Sequence, residues 1–298
     1  MRIGALFPSI EIGGDPVATR DWAQAAEDLG YDNIWVYEHV LGFMQNPAVG
    51  PAGPVTPRVT MDEPFVLLGF LAAITRRIGL VTGVVVLPQR QTALVAKQAA
   101  EVDALSVGRL RLGVGVGQVA RETEALGGVD FHTRGRRMDE QLVLLRRLWT
   151  EEGVSFEGRW HHVPDGGGLT GPRAVQRPIP IWIGGRSEAA MRRAARVADG
   201  WMPLFPAPDE YARARVDAFR ACTADAGRLP DAVGLEVWGP LAGITESDWP
   251  AHAAGWRELG ATHYAVLTSG MGLTSVHAHI EQLRRVREVL ADEFAVAV

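Results

Sequence analysis

Short β-branched apolar runs alternate along this chain with longer stretches whose apolar residues recur at helical spacing, and the alternation repeats eight times. The first strand is predicted over Ile3 to Phe7, followed by a helix over Pro16 to Leu29 with Trp22, Ala25, Ala26 and Leu29 on its apolar face and Gly30 as its stop. The next pairs are Asn33 to His39 with Glu63 to Arg76, Ile78 to Leu87 with Thr92 to Leu105, and Arg109 to Gly115 with Arg134 to Trp149. The second half continues with Ile179 to Ile183 and Ser187 to Ala198, then Gly200 to Leu204 and Pro208 to Ala226. It closes with Val233 to Trp238 and Trp249 to Leu259, then His263 to Thr268 and Val276 to Ala291.

Strands this apolar are buried on both faces, which predicts an α/β fold: a closed (β/α)8 TIM barrel forming one domain over residues 1–298. The alternative is a Rossmann-like sheet with an added lobe. Residues 151–178 break the rhythm, with a hairpin around Phe156 to His161 and a glycine run at Gly166 to Gly168, and read as an insertion at the C-terminal face. Together with the loop Leu41 to Pro57 it is expected to act as a mobile lid, because long loops carry specificity. Catalytic groups of such barrels gather where strands end and helices begin.

Composition narrows the function classes. The 298 residues carry a formal net charge of -5 without long like-charge blocks, which argues against nucleic acid or an anionic membrane as partner. The single cysteine, Cys222, allows no intrachain disulfide. With no signal-peptide pattern and no apolar run near the roughly 20 residues that span a bilayer, the expected location is the cytoplasm. His161-His162 and His277-x-His279 have no carboxylate at ligand spacing, so no metal is expected.

The chemically unusual residues fall at predicted strand ends. Strand two ends Tyr37-Glu38-His39, and alternation sends one of the acid and imidazole into the barrel mouth and the other away; a histidine merely capped by a loop is the other reading. Strand three carries Gly83 inside a β-branched run, marking either a bulge or bend, or close approach of a flat ligand. Strand four ends Gly113-Val114-Gly115-Val116-Gly117-Gln118, whose spacing fails the dinucleotide fingerprint and predicts a bare wall with room for a planar group. Strand five ends Gly184-Gly185-Arg186-Ser187-Glu188 at a helix start, where free amides, the dipole and a cation suit a phosphate; plain capping by Ser187 is the alternative.

Taken in order, Tyr31 to His39, Val84 to Pro88 through Lys97-Gln98 to Gly117, Arg134 to Glu140, and Ile183 to Glu188 with Ala198 to Trp201 resemble the luciferase-like monooxygenase superfamily, in particular its F420-dependent oxidoreductase branch. The resemblance covers nearly the whole chain. It implies a bacterial-luciferase-like barrel, a coenzyme ring lying against a non-proline cis peptide at Thr82-Gly83, and catalytic roles for Glu38 and His39, with Glu38 standing where Asp is commoner. It further implies coenzyme contacts at Val85, Gln118, Arg121, Gly184, Gly185, Ser187 and Glu188. Gln118 takes the place of a catalytic Glu in a sugar-phosphate dehydrogenase of the family, which speaks against that reaction.

The implied activity is hydride transfer between coenzyme F420 and a small organic substrate, in a homodimer. The alternatives are an FMN-dependent monooxygenase, a non-catalytic flavin- or deazaflavin-binding protein and, more distantly, a metal-dependent barrel hydrolase.

Overall fold

The computed structural model describes residues 1–50, 53–127 and 130–294. Eight parallel strands carry the barrel: β1 Arg2–Leu6, β2 Asn33–Val36, β3 Gly79–Thr82, β4 Leu110–Gly115, β5 Ile181–Gly184, β6 Gly200–Met202, β7 Gly234–Pro240 and β8 His263–Leu267. Each pairs with the next, β8 pairs with β1, and β4 pairs with β5, so the ring is closed. The helices after the strands are α1 Pro16–Asp28, α2 Pro64–Ile74, α3 Thr92–Leu105, α4 Arg134–Thr150, α5 Glu188–Val197, α6 Glu210–Asp225, α7 Trp249–Glu258 and α8 Val276–Val289. No described helix is long and apolar enough to cross a membrane.

Alternation along the strands divides the core in two. Ile34, Leu80, Leu112, Ile183 and Val237 face the helices and join the large outer core, while Leu6, Trp35, Val81, Trp182 and Met202 fill the barrel interior. Helix starts are capped as their sequences lead one to expect. The Asp15 carboxylate accepts from Val17 and Ala18 N–H, Glu63 from Val66, Ser187 from Ala190, and Asp209 from Ala212.

Strand three departs from the regular pattern predicted for Ile78 to Leu87. After Thr82 the strand breaks and resumes at Val85–Val86. Leu80 stands opposite Leu110 and Val85 opposite Val114, so this strand carries one extra residue relative to β4. The non-proline cis bond lies at Gly83-Val84, one residue beyond the Thr82-Gly83 position that the resemblance implied. Gly83 N–H donates to Val36 O at 2.6 Å, which keeps the Thr82-Gly83 peptide in the ladder with β2 and puts the irregularity one bond later.

The insertion also differs in detail. Its hairpin pairs Val154–Glu157 with His162–Gly167, wider than the predicted Phe156 to His161. The Glu140 carboxylate accepts from the backbone N–H groups of Arg159, Trp160 and His161, and the His161 ring sits between Glu140 and Thr92. Lys97 holds the carbonyls of Thr170 and Gly171, and Asp103 holds Gln176. The segment is therefore strapped to the flanks of α3 and α4, with its tip reaching the rim, rather than arranged as a free lid. In the loop Leu41 to Pro57, Ala48–Gly50 pairs with Gly53–Val55; residues 51 and 52 lie outside the described residues.

Candidate active site

The rim groups are brought together by residues 84–86. A side-chain carbon built on Gly115 would lie 2.8 Å from Val84 Cγ2, one on Gly184 2.5 Å from Val84 Cγ1, and one on Gly117 2.6 Å from Val86 Cγ1. A carbon on Gly113 would meet the Thr82 carbonyl oxygen at 1.9 Å. The glycine-lined wall of β4 is thus not bare, as the sequence pattern led us to expect. Its glycines admit the backbone and valines of the irregular strand beside it.

The extra residue also changes which side chains face inward. Gly83 abuts the Trp35 ring and Val84 abuts the inward glycines, so two consecutive residues point into the barrel. Alternation then resumes with Val86 inward and Val85 in the outer core, fully buried against the helix layer. The Val85 side chain, expected to line a coenzyme, does not face the mouth; Val84, half-buried, takes that place. The Thr82 hydroxyl is likewise engaged, donating to Gly113 O at 2.7 Å.

After β2 alternation packs Tyr37 into the interior cluster and turns Glu38 outward onto Val86 and Arg90, so of the expected acid–imidazole pair the acid is the one turned away from the mouth. Glu38 is buried, accepts from Val86 N–H at 2.5 Å, and is ion-paired with Arg90, which also holds Glu63 at 2.7 Å. Both carboxylate oxygens are committed to fixing the end of strand three against β2.

His39 lies at the rim with a side-chain exposure of 14%. Its Nδ1 is 2.9 Å from the Glu122 carboxylate, whose other oxygen accepts from Val40 and Leu41 N–H at 2.8 and 3.1 Å. Burial pushes the Glu122 carboxyl up, but the bonds from His39, Leu41 and Val40 outweigh it and hold its pKa below the usual carboxylate value. An ionised carboxylate only accepts, so His39 Nδ1 is the donor and Nε2 is left with its lone pair free to accept. Nε2 has no protein partner among the described residues. Glu122, on the short helix Ala120–Ala125, was missed by sequence reading. Its only signal was an acid five residues past Gly117, a spacing that says nothing about which loop it will face.

Gln118 and Arg121 line an open cavity of about 530 Å³ together with Asn46, Pro47, Ala48, Val119 and Ala120. Arg121 donates to Asn46 O and lies 4.1 Å over the Phe43 ring, fastening the loop after β2 to the end of β4. The predicted anion site lies one strand further round the rim. There Gly185 adopts φ +116°, its carbonyl accepts from Trp201 Nε1, and Ser187 caps α5 while covering only Ala190 N–H. Arg186 is exposed and has no ion-pair partner among the described residues, whereas Glu188 is spent on Arg192 one turn on. No group of three or more potential metal ligands occurs among the described residues.

A second charged site was not anticipated. Inside the barrel, Arg111 and Glu236 pair at 2.5 Å, Trp35 Nε1 donates to Glu236 at 2.7 Å, and the Arg111 guanidinium lies 4.3 Å over the Trp182 ring. Burial raises the Glu236 pKa, with Arg111 and Trp35 pulling it back.

Comparison with known proteins gives a consistent family signal. The family model described as luciferase-like monooxygenase matches residues 5–246. An uncharacterised protein of Mycobacterium tuberculosis is 38% identical over 205 residues, 66% of this chain and 69% of the relative. A phthiodiolone/phenolphthiodiolone dimycocerosates ketoreductase of the same species is 30% identical over 234 residues, 75% of this chain and 61% of that protein. Among solved structures, monooxygenase RslO1 from Streptomyces bottropensis superimposes with a TM-score of 0.72 at 22% identity, covering 99% of this chain and 98% of that one. An F420-dependent secondary alcohol dehydrogenase with an F420-acetone adduct gives 0.77 at 16% identity, covering 97% and 98%. At these identities the structural likeness speaks for the barrel alone.

Proposed function

Because the chain belongs to the luciferase-like monooxygenase family, we propose that it is an F420-dependent oxidoreductase acting on a small organic substrate at the C-terminal mouth of its barrel. The observation that carries this reading is the His39–Glu122 dyad, a histidine with one nitrogen anchored to a buried carboxylate and the other left free at the rim. The relative named as a ketoreductase and the neighbour named as an F420-dependent alcohol dehydrogenase support carbonyl–alcohol chemistry.

A phosphorylated flavin-type coenzyme fits the residues present. The first turn of α5 has backbone N–H groups beyond the one that Ser187 covers, and Arg186 stands beside them without an ion-pair partner among the described residues. Gly184, Gly185 and Ser187 shape that turn, Val84 and Gln118 would line the coenzyme's place in the mouth, and Arg121 fastens the Asn46 loop to the end of β4. When bound, the coenzyme supplies or takes up the hydride. The protein's share is the proton: protonated His39 Nε2 gives it to a carbonyl oxygen during reduction, or neutral Nε2 takes it from an alcohol during oxidation, while the ionised Glu122 orients the ring and stabilises its protonated form. Glu38 acts through position, holding Val86 and Arg90 in place.

A spectral titration of the purified protein with F420 and with FMN tests the reading. Binding of F420 with turnover of a carbonyl or alcohol supports it; selective binding of FMN, with oxygen consumption once reduced, supports the monooxygenase reading that the family description favours. Tight binding without turnover across a broad acceptor screen would indicate a carrier. His39→Ala should lower turnover by about 10²–10⁴-fold and leave coenzyme affinity near wild type; equal loss of both marks a structural histidine. The homodimer belongs to the same proposal: α2 contains no charged residue and exposes Val66 and Phe70, and light scattering of the purified protein checks it.

A further inference from the structure

The turn that leads from strand three into α3 reaches both halves of the His39–Glu122 dyad through their chain neighbours. On the histidine side, Val86 N–H donates to Glu38 Oε1 at 2.5 Å and Arg90 is paired with the same carboxylate, so the residue before His39 is held from both ends of the turn. On the carboxylate side, Gln89 Nε2 donates to Thr123 Oγ1 at 3.0 Å, and Thr123 is the residue after Glu122. The buried Thr123 hydroxyl gives its own proton to Val119 O at 3.2 Å, so toward Gln89 it can only accept. Gln89 reaches it past Gly117, where a side-chain carbon would come within 3.7 Å of the amide nitrogen.

The turn itself is fixed. Leu87 and Pro88 are buried, and the fully buried Gln141 of α4 places Nε2 3.0 Å from Leu87 O and 3.0 Å from Thr92 Oγ1. The helix Ala120–Ala125 that carries Glu122 is less secure, since its start has no side-chain cap. The Glu122 carboxylate and Arg121 bind that helix to the segment after β2. Among the described residues, Gln89 to Thr123 is the one side-chain hydrogen bond that joins it to the end of strand three. Two groups that stand 2.9 Å apart, from positions 83 residues apart in the chain, are thus referred to a single braced turn. The same turn continues the strand of Val84, so the dyad and that part of the mouth share one frame. In such a constellation a displacement of about 1 Å can cost about a hundredfold in rate.

Resting on the dyad reading above, we propose that Gln89 and Thr123 are positioning residues for proton transfer. Their hydrogen bond holds Glu122 where it keeps the His39 proton on Nδ1 and leaves Nε2 bare, and they act through Glu122 rather than on the reacting atoms.

The experiment is NMR of the histidine ring nitrogens in isotopically labelled full chain without coenzyme, at alkaline pH where imidazoles are neutral, with the His39 signals identified by their loss in His39→Ala. Wild-type His39 should show the Nδ1–H tautomer alone. Gln89→Leu and Thr123→Val should each add a second population protonated on Nε2, whereas Thr123→Ser, which keeps the hydroxyl, should match wild type. With the coenzyme that the spectral titration selects, Gln89→Leu should lower kcat by about tenfold and leave KM near wild type. Joining it to Thr123→Val should cost no more than either change alone, and adding it to Glu122→Gln should cost less than about a further twofold, because the dyad is then already released.

A lone Nδ1–H tautomer in folded Gln89→Leu and Thr123→Val overturns the proposal, and so does a loss in Gln89→Leu that adds in full to that of Glu122→Gln. A tautomer that moves without loss of turnover upholds the positioning and sinks the proton-transfer reading instead, so the two fail separately. Should Gln89→Leu fail to fold, Thr123→Val against Thr123→Ser decides, since it removes the same bond from the other end.

Discussion

The two ends of the barrel interior treat charge in opposite ways. Deep among the strands, Glu236 is met by Arg111 and Trp35, and Arg111 is stacked on Trp182. At the mouth, His39 keeps one nitrogen without a protein partner among the described residues, and the exposed Arg186 has no ion-pair partner among them. Polar groups that satisfy one another lock a core; polar groups left unmet on a rigid frame are available to something that arrives from outside. The contrast matches the general habit of such barrels, in which the closed end carries stability and the open end, as proposed here, the chemistry.

The largest effect should come from the closed end. Arg111→Ala leaves Glu236 buried without its cation, at a cost of about 3–5 kcal/mol, and thermal unfolding should show a melting temperature lower by roughly 10 °C. The double replacement Arg111→Met with Glu236→Leu should recover most of that loss; no recovery would show that the pair does more than satisfy itself. At the open end the signature reverses. Glu122→Gln should cost about a hundredfold in turnover by releasing His39 from its tautomer, with a far smaller change in melting temperature, and a stability loss as large as that of Arg111→Ala would erase the distinction between the two ends.

Smaller again is Arg186→Ala, expected to weaken coenzyme binding by about tenfold in the spectral titration while stability stays within about 0.5 kcal/mol. An unchanged affinity would move the phosphate elsewhere on the rim. The effect spread most gradually over conditions is a pH dependence. His263, packed edge-on against Trp182, is pushed down to about 2 by burial and by the charges of Arg111, Arg2 and the chain start. The unfolded chain takes up its proton near the ordinary value of about 6.5 and the folded chain does not, so this contribution to stability is complete above that pH and drains away as pH falls toward the folded value. The slope is at most about 1.4 kcal/mol per pH unit for one proton, and His263→Gln should flatten it in urea unfolding between pH 7.5 and 5. An identical slope in the variant would assign the acid sensitivity to another group.

Much of the frame was legible in advance because it rests on local repetition. The helix over Thr92 to Leu105 has the predicted ends, α1 begins at the predicted Pro16, and α5 begins beside the serine expected to cap it. Candidate residues such as His39 and Arg186 were singled out because strand ends can be located from periodicity, whereas Gln118 was singled out by the family resemblance. What escaped were partnerships between distant segments. Glu122 is separated from His39 by 83 residues, and Glu236 from Arg111 by 125, with nothing in either local pattern to announce the match.

The side chains of strand three mark the boundary most clearly. By itself the sequence determined that a β-branched run broken by Gly83 would form a strand at the barrel wall, since residue type and spacing suffice for that. Only the tertiary structure decided that one extra residue sits opposite β4, and with it that Val84 and Val86 turn inward while Val85 joins the outer core. The physical reason is that strand alternation has a period of two, so a single inserted residue exchanges the faces of everything after it, and where that residue is absorbed depends on the register with neighbouring strands.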